Sequence, residues 1–382
     1  MTDVIAELRA AYEEEIRDPK LPRTANDLPL SYEAINDEWL TNVICHEHPG
    51  AAVVSHRLDA PDDGNTSRRR IFLDYNAAGV AAGLPASVFC KASYRWETRL
   101  SVGICGGVQC ETVFYNKIRQ LLDIEAPWGV WANYNPKTFN SIIMLRDLGS
   151  GTEFCTLDTD MNETRLRGQM EVLAKLHARF YKSRDFDTAL ADLATWPEYF
   201  ARLDLIGAKG ICAKGFKAAK EVIPARVFAR EQEIWPKTLA SIDRHKVLPQ
   251  MLIHSDVHLR NWYISADGRM GLNDWQSACK GHWSRDVAYA LTAAMDVDTR
   301  RRMVKPLLQY YLEHLQAEGG PAVSFDEAWL LYRQQLFTAL AYWTITMPSP
   351  DLPNMQPVDT TLEMIRRMSS AIDEYDALDS FF

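Results

Sequence analysis

The spacing of apolar positions changes near residue 147 and divides the chain into two textures. Residues 1–20, with Glu13-Glu14-Glu15, predict an exposed acidic helix, and Pro19, Pro22 and Pro29 break the segment after it. Ile35, Trp39 and Val43 fall four apart and predict a short helix over 32–44. From residue 51 to about 145 the texture is of short strands: Val53-Val54, Ile71-Phe72-Leu73, 86–90 and 141–145. One helix interrupts them over 107–122, with Phe114, Ile118, Leu121 and Leu122 on one face. After Gly149 the pattern is helical, and Leu166, Met170, Leu173, His177 and Phe180 mark an amphipathic helix. A strand-like run covers 247–253. Two more, 262–265 and 269–273, flank Ala266-Asp267-Gly268 and predict a β-hairpin. Residues 286–377 read mainly as helix.

This order predicts an α+β protein with three parts: a helical extension over 1–50, a β-rich lobe over 51–146 and a mostly helical lobe over 147–382. A chain of 382 residues with 47% hydrophobic and 24% charged residues can bury a large core. The balance of 42 Lys+Arg against 51 Asp+Glu gives a net charge of −9, which argues against a general nucleic-acid or anionic-membrane binder. No apolar run is long enough to span a bilayer; the best, 330–347, is interrupted by Arg333, Gln334 and Gln335. Seven irregularly spaced cysteines make no disulfide framework, and the start of the chain lacks the pattern of a signal peptide. The expected location is the cytoplasm.

The stretch with most chemistry is His254-Ser-Asp256-Val-His258-Leu-Arg-Asn261, between a strand and the hairpin, with Asp274-Trp-Gln after it at the hairpin's far end. It presents three oxygen-bearing side chains on two neighbouring turns, the donor type that hard divalent cations prefer. Phosphoryl transfer uses this inventory: a carboxylate to orient the attacking hydroxyl, metal ions on the phosphate oxygens, and a lysine on the phosphates that stay behind. Upstream, Lys91 ends a strand and Glu111 comes 20 residues later on a helix.

In these residues, and in the segments 142–148, 173–177 and 286–289, the chain resembles the protein-kinase-like superfamily. Within it the likeness is to the small-molecule branch of aminoglycoside phosphotransferases, choline kinases and ecdysteroid-kinase-like proteins, over about residues 50–300. The resemblance implies a bilobal fold and an ATP-dependent, Mg2+-dependent phosphotransferase acting on a hydroxylated small molecule, with nucleotide bound between the lobes. It implies Asp256 as base and Asn261 and Asp274 as Mg2+ ligands. Lys91 would contact the α- and β-phosphates, with Glu111 orienting it. Main-chain groups around Leu145 to Asp147 would meet the adenine, and Asp286 would tie its segment to the catalytic loop. His258 stands where protein kinases carry a phosphate-contacting lysine and would do a weaker version of that job.

The chain departs from the pattern in places. Only Gly64 stands in 62–67, where a glycine-rich phosphate loop would lie, and Ser255 comes after His254 where glycine is common. A nucleotide-binding pseudokinase is the competing reading. Other features take plainer readings. Cys45-His46-Glu47-His48 lacks ligand spacing for a helix and reads as a surface loop. Arg68-Arg69-Arg70 reads as an alternating or solvated strand face, and Lys91 with Glu111 could be a surface ion pair. Trp262, Trp275, Trp283 and Trp343 either pack the helical lobe or line a pocket for an apolar alcohol.

Overall fold

The computed structural model describes residues 2–64, 66–348 and 355–381. The chain forms two units, one built from residues up to 121 together with 127–150, the other from 122–126 together with 151 onward.

Unit 1 is organised around an antiparallel sheet. Its strands are β1 (Val53–Leu58), β2 (Asp62–Asp63), β3 (Ser67–Tyr75), β4 (Ser87–Ala92), β5 (Gly129–Tyr134) and β6 (Ser141–Arg146). They lie in the order β1-β3-β4-β6-β5, with β2 paired to β3. The period-two alternation of a strand decides which side chains enter the core. Val88, Cys90 and Ala92 of β4 share a cluster with Ile71, Leu73, Ile142 and Met144. The helix Asp37–Ile44 covers the same face through Trp39, Leu40 and Val43. Lys91, between Cys90 and Ala92, therefore falls on the opposite face, paired in register with Ile143 of β6.

Two helical expectations are corrected here. Residues 32–44 do not form one helix. A 3-10 turn, Tyr32–Ala34, precedes the helix, because the Asn36 side chain caps the Trp39 amide and starts a new helix there. The 107–122 helix is regular only over Gly107–Val113, then widens into π-type turns to Ile118 and tightens to a 3-10 turn at Arg119–Leu121. This change of pitch rotates Leu121 to the surface while Phe114, Ile118 and Leu122 stay buried. Pattern reading also missed β5.

Unit 2 opens with β7 (Glu153–Phe154) and the long helix Glu163–Arg179, whose Leu166, Met170, Leu173 and His177 are buried as their spacing predicts. After the helices Trp196–Ala201, Ala208–Ala218 and Glu231–Arg244 come β8 (Met251–Ile253) and the expected hairpin, β9 (Trp262–Ile264) and β10 (Met270–Leu272), which β7 extends by pairing with β9. A final strand, β11 (Cys279–Gly281), pairs antiparallel with β8. The predicted 247–253 strand shortens because Val247 and Leu248 still bond back to Arg244 and Pro249 has no amide to give to a ladder. The helices Ser284–Ala293, Val297–Ala317, Phe325–Ile345 and Val358–Glu374 complete the unit. No helix among the described residues is long and apolar enough to cross a membrane.

The three-arginine run alternates as expected, Arg68 and Arg70 each 37% exposed and Arg69 17%, and each arginine is ion-paired. Arg68 pairs with Asp62 at 3.0 Å, Arg69 with Glu33 at 2.8 Å, and Arg70 with both Asp59 and Asp147. The four tryptophans pack the interior: Trp262, Trp275 and Trp283 are fully buried and Trp343 is 2% exposed. Cys45 is buried and His46 and Glu47 are exposed in the turn after the Asp37–Ile44 helix.

Gly271 in β10 marks a close approach, since a Cβ there would lie 2.2 Å from the Tyr263 ring. The ring is held in place by a hydrogen bond from its hydroxyl to Glu125 at 2.8 Å. Gly271→Ala is expected to lower stability by about 1–3 kcal/mol through overpacking, read as a fall in the urea midpoint. An unchanged midpoint would show that the hairpin yields freely.

Candidate active site

In unit 2 the two turns found by sequence reading leave the ends of short buried strands. β8 runs into His254–Asn261, and β10 runs into Asn273-Asp274. The backbone bends sharply at both. Ser255 has φ 61° and Asp274 has φ 65°, the left-handed region that side chains other than glycine seldom adopt. Such positions cost on the order of 1–3 kcal/mol each and persist only where neighbours over-determine them.

Those neighbours are visible. Asp286, near the start of the helix Ser284–Ala293, accepts the His254 amide on one carboxylate oxygen (2.7 Å) and the Ser255 amide on the other (2.8 Å). His177, on the Glu163–Arg179 helix, adds a third bond through Nε2 at 3.3 Å, and its Nδ1 meets the Tyr311 hydroxyl at 2.8 Å. The Ser255 hydroxyl donates to the Ser277 carbonyl at 2.7 Å. Burial opposes the charge on Asp286, but hydrogen bonding and charge from His177 and the His254 segment outweigh it and hold the carboxyl below its ordinary range.

The two turns are also bonded to each other. His254 donates from Nε2 to the Asn273 carbonyl at 2.9 Å, while its Nδ1 accepts the Asp256 amide at 3.3 Å. Asn261 donates from its side-chain nitrogen to the Asp256 carbonyl at 2.7 Å, and its own carbonyl accepts two bonds from Asn273 at 2.9 Å. These bonds tie Asn261 to the Asp256 carbonyl and to Asn273, the residue before Asp274, and leave the Asp256 side chain 29% exposed. His258 is almost wholly buried, with Nε2 3.8 Å from the Asp256 carboxylate, Nδ1 bonded to no protein atom, and its ring against Trp343 at 5.3 Å.

In unit 1, Lys91 donates to Glu111 at 2.8 Å, with side chains 10% and 2% exposed. The surface-pair reading therefore fails. Leu145 lies in β6, between β4 and β5. The Asp147 carboxylate is fully engaged, by Arg70, by the Ser87 hydroxyl at 2.9 Å and by the Gly149 amide at 3.2 Å. Burial pushes its pKa up, and these bonds more than offset that, leaving it lowered. Gly64 accepts Arg95 on its carbonyl, and Asn65, within the expected phosphate turn, lies outside the described residues.

Sequence reading passed over Asn273 and Arg285. Asn273 gives no signal beyond its place before Asp274. Arg285 gives none beyond its place beside Asp286; only the structure shows that it lies in a helix whose ten residues are all buried.

A model of a phosphotransferase enzyme family matches residues 156–323. The matched segment contains His254–Asn261, Asp274 and Asp286. The match supports phosphotransfer, as the resemblance read from the sequence implies. Among solved structures, an ethanolamine kinase from Plasmodium vivax is 10% identical, covers 83% of this chain and 81% of its own, and aligns with a TM-score of 0.47. A macrolide 2'-phosphotransferase from Brachybacterium faecium is 13% identical over 78% and 88%, with a TM-score of 0.45. A choline kinase from Streptococcus pneumoniae is 12% identical over 84% and 94%, with a TM-score of 0.46. No curated protein matches the chain.

Two measurements test this description. A buried ion pair contributes little net stability, but removing one partner strands the other. Glu111→Ala is expected to cost about 3–5 kcal/mol in urea unfolding, and the double change Lys91→Met with Glu111→Leu to recover most of it. Equal losses in both would contradict a stranded charge. Acid should also weaken unit 2. Burial holds the His245 ring at about 4 and drives His282 well below its usual range. Both folded values lie under the unfolded one near 6.5, so the neutral rings contribute fully above that pH and lose their contribution as pH falls from about 6.5 toward 4. The urea midpoint should drop between pH 7 and pH 5; a midpoint that rises would refute the assignment.

Proposed function

We propose that the chain is an ATP-dependent phosphotransferase that moves the γ-phosphate to a hydroxyl group of a small molecule. The observation that carries this reading is the bonded pair of turns: Asn261 holds the Asp256 carbonyl, and Asn273, next to Asp274, holds the Asn261 carbonyl. Asp256 would accept a hydrogen bond from the acceptor hydroxyl, aim its oxygen, and take its proton as the new bond forms. Lys91 would steady the non-transferred phosphates, with Glu111 fixing its ammonium. The buried pair fits this role because it is otherwise a poor way to gain stability. His258 would offer a ring N–H to a phosphate oxygen. The Asp147 carboxylate is occupied, so in this region only main chain around Leu145 to Asp147 would meet adenine.

The donor chemistry fits Mg2+. The Asn261 amide nitrogen is committed to Asp256, which leaves its oxygen for a cation, and Asp274 supplies a carboxylate. Among the described residues no group of three or more His, Cys, Asp or Glu side chains could hold a metal. That suits an ion held by one or two protein oxygens plus substrate phosphates better than a closed protein cage. Bound there, Mg2+ would neutralise charge on the phosphate oxygens.

The test is a screen of hydroxylated metabolites for Mg2+-dependent ADP release. Asp256→Asn and Asp274→Ala should each lower turnover at least about a hundredfold with folding retained. His258→Ala should lower it less. Wild-type rates in Asp256→Asn would refute the role of that carboxylate. Tight nucleotide binding without turnover on any acceptor would favour the pseudokinase reading.

A further inference from the structure

Arg285 is a fully buried guanidinium with no carboxylate partner among the described residues. Among the described residues it makes one hydrogen bond, from Nη2 to the carbonyl of Ser255 at 2.8 Å, while Nε and Nη1 have no partner there. The nearest carboxylate along the chain, Asp286, is taken up by His254, Ser255 and His177. Three aromatic rings surround the cation instead: Tyr289 at 4.6 Å, and Trp196 and Tyr342 at 5.0 Å each. Ring faces attract a cation, but less than water or a carboxylate does, so the site is expensive for the fold.

A methionine or leucine would fill this space without the desolvation penalty. What the guanidinium adds is its one directed bond. The carbonyl it holds belongs to the positive-φ residue immediately before Asp256. The two Ser255 bonds have complementary partners, Asp286 on the amide and Arg285 on the carbonyl. Together they fix the peptide planes on both sides of the bend, and so the direction in which the next residue leaves it.

We propose that Arg285 is a positioning residue: it sacrifices stability to lock the Ser255–Asp256 peptide and aim the Asp256 carboxylate. This rests on the phosphotransferase reading for its effect on rate, though not for its effect on the loop. Two variants test it. Arg285→Met keeps the stem's bulk and removes the charge. Arg285→Lys keeps a cation among the rings and loses the reach to Ser255.

Arg285→Met should keep a melting temperature at or above that of the wild-type protein, while Arg285→Lys, which keeps a buried charge without its bond, should melt lower than Arg285→Met. Amide exchange across 254–258 should nevertheless quicken about tenfold or more, with the Val297–Ala317 and Phe325–Ile345 helices unchanged. With an acceptor found in the screen, kcat should fall about 10- to 100-fold while KM for ATP stays within about twofold. The proposal is overturned if exchange over 254–258 is unchanged, or if kcat is retained. It is also overturned if the melting temperature of Arg285→Met falls and exchange rises throughout unit 2, since Arg285 is then an ordinary structural residue. If the wild-type protein transfers phosphate to nothing, the functional reading fails by itself, and the exchange and melting results still decide whether Arg285 locks the loop.

Discussion

Two backbone amides, those of His254 and Ser255, both end on the carboxylate of Asp286, and the order of the site stems from that one fork. A strand that stops at Ile253 and bends through the left-handed region leaves its next N–H groups without ladder partners. Buried amides need acceptors, and a single carboxylate with two oxygens supplies both from a neighbouring helix. His177 then holds the carboxylate from another helix. Three elements distant in sequence meet at one anion, and the turn between them has no freedom to relax.

The same economy recurs one layer out. His254 uses both ring nitrogens, one on the Asp256 amide and one on the Asn273 carbonyl, so a single neutral ring joins the two turns. Asn261 uses its nitrogen on one turn and its carbonyl on the other. The groups these bonds do not consume are the Asp256 carboxylate and the Asn261 oxygen, the two that the proposed chemistry would use. In the proposed role, the side chains that would reach a substrate are held by bonds to main chain that the substrate would not need to break.

Some buried charges fall at residues with proposed roles, while others, such as Arg99 with Glu15 and Arg300 with Glu374, do not. Lys91 with Glu111, Asp286 with His177, and Arg285 among its rings all sit in interiors where apolar residues would pack at lower cost. By contrast, the ion pairs of Arg68, Arg69 and Arg70 are partly exposed and serve the sheet. Tryptophan, the residue type that composition brings forward, serves packing: all four highlighted rings are buried.

How much of this was legible in the sequence depends on the range of the cause. The strand run ending at Lys91, the amphipathic 163–179 helix, the hairpin and the spacing from Asp256 to Asn261 to Asp274 are local, because side-chain period and turn residues act over a few positions. The structural task of Asp286 was also readable, from its place in the resemblance. The pitch change after Val113, the early end of the strand at 247–250 and the role of Arg285 were not. Each is decided by what another segment presses against it, and a hydrogen bond between residues 30 apart, such as Arg285 to Ser255, leaves no periodic trace. The sequence by itself determined which residues could do chemistry and in what order they come; tertiary structure decided which are bonded into one rigid loop, because that requires partners the chain brings near only by folding.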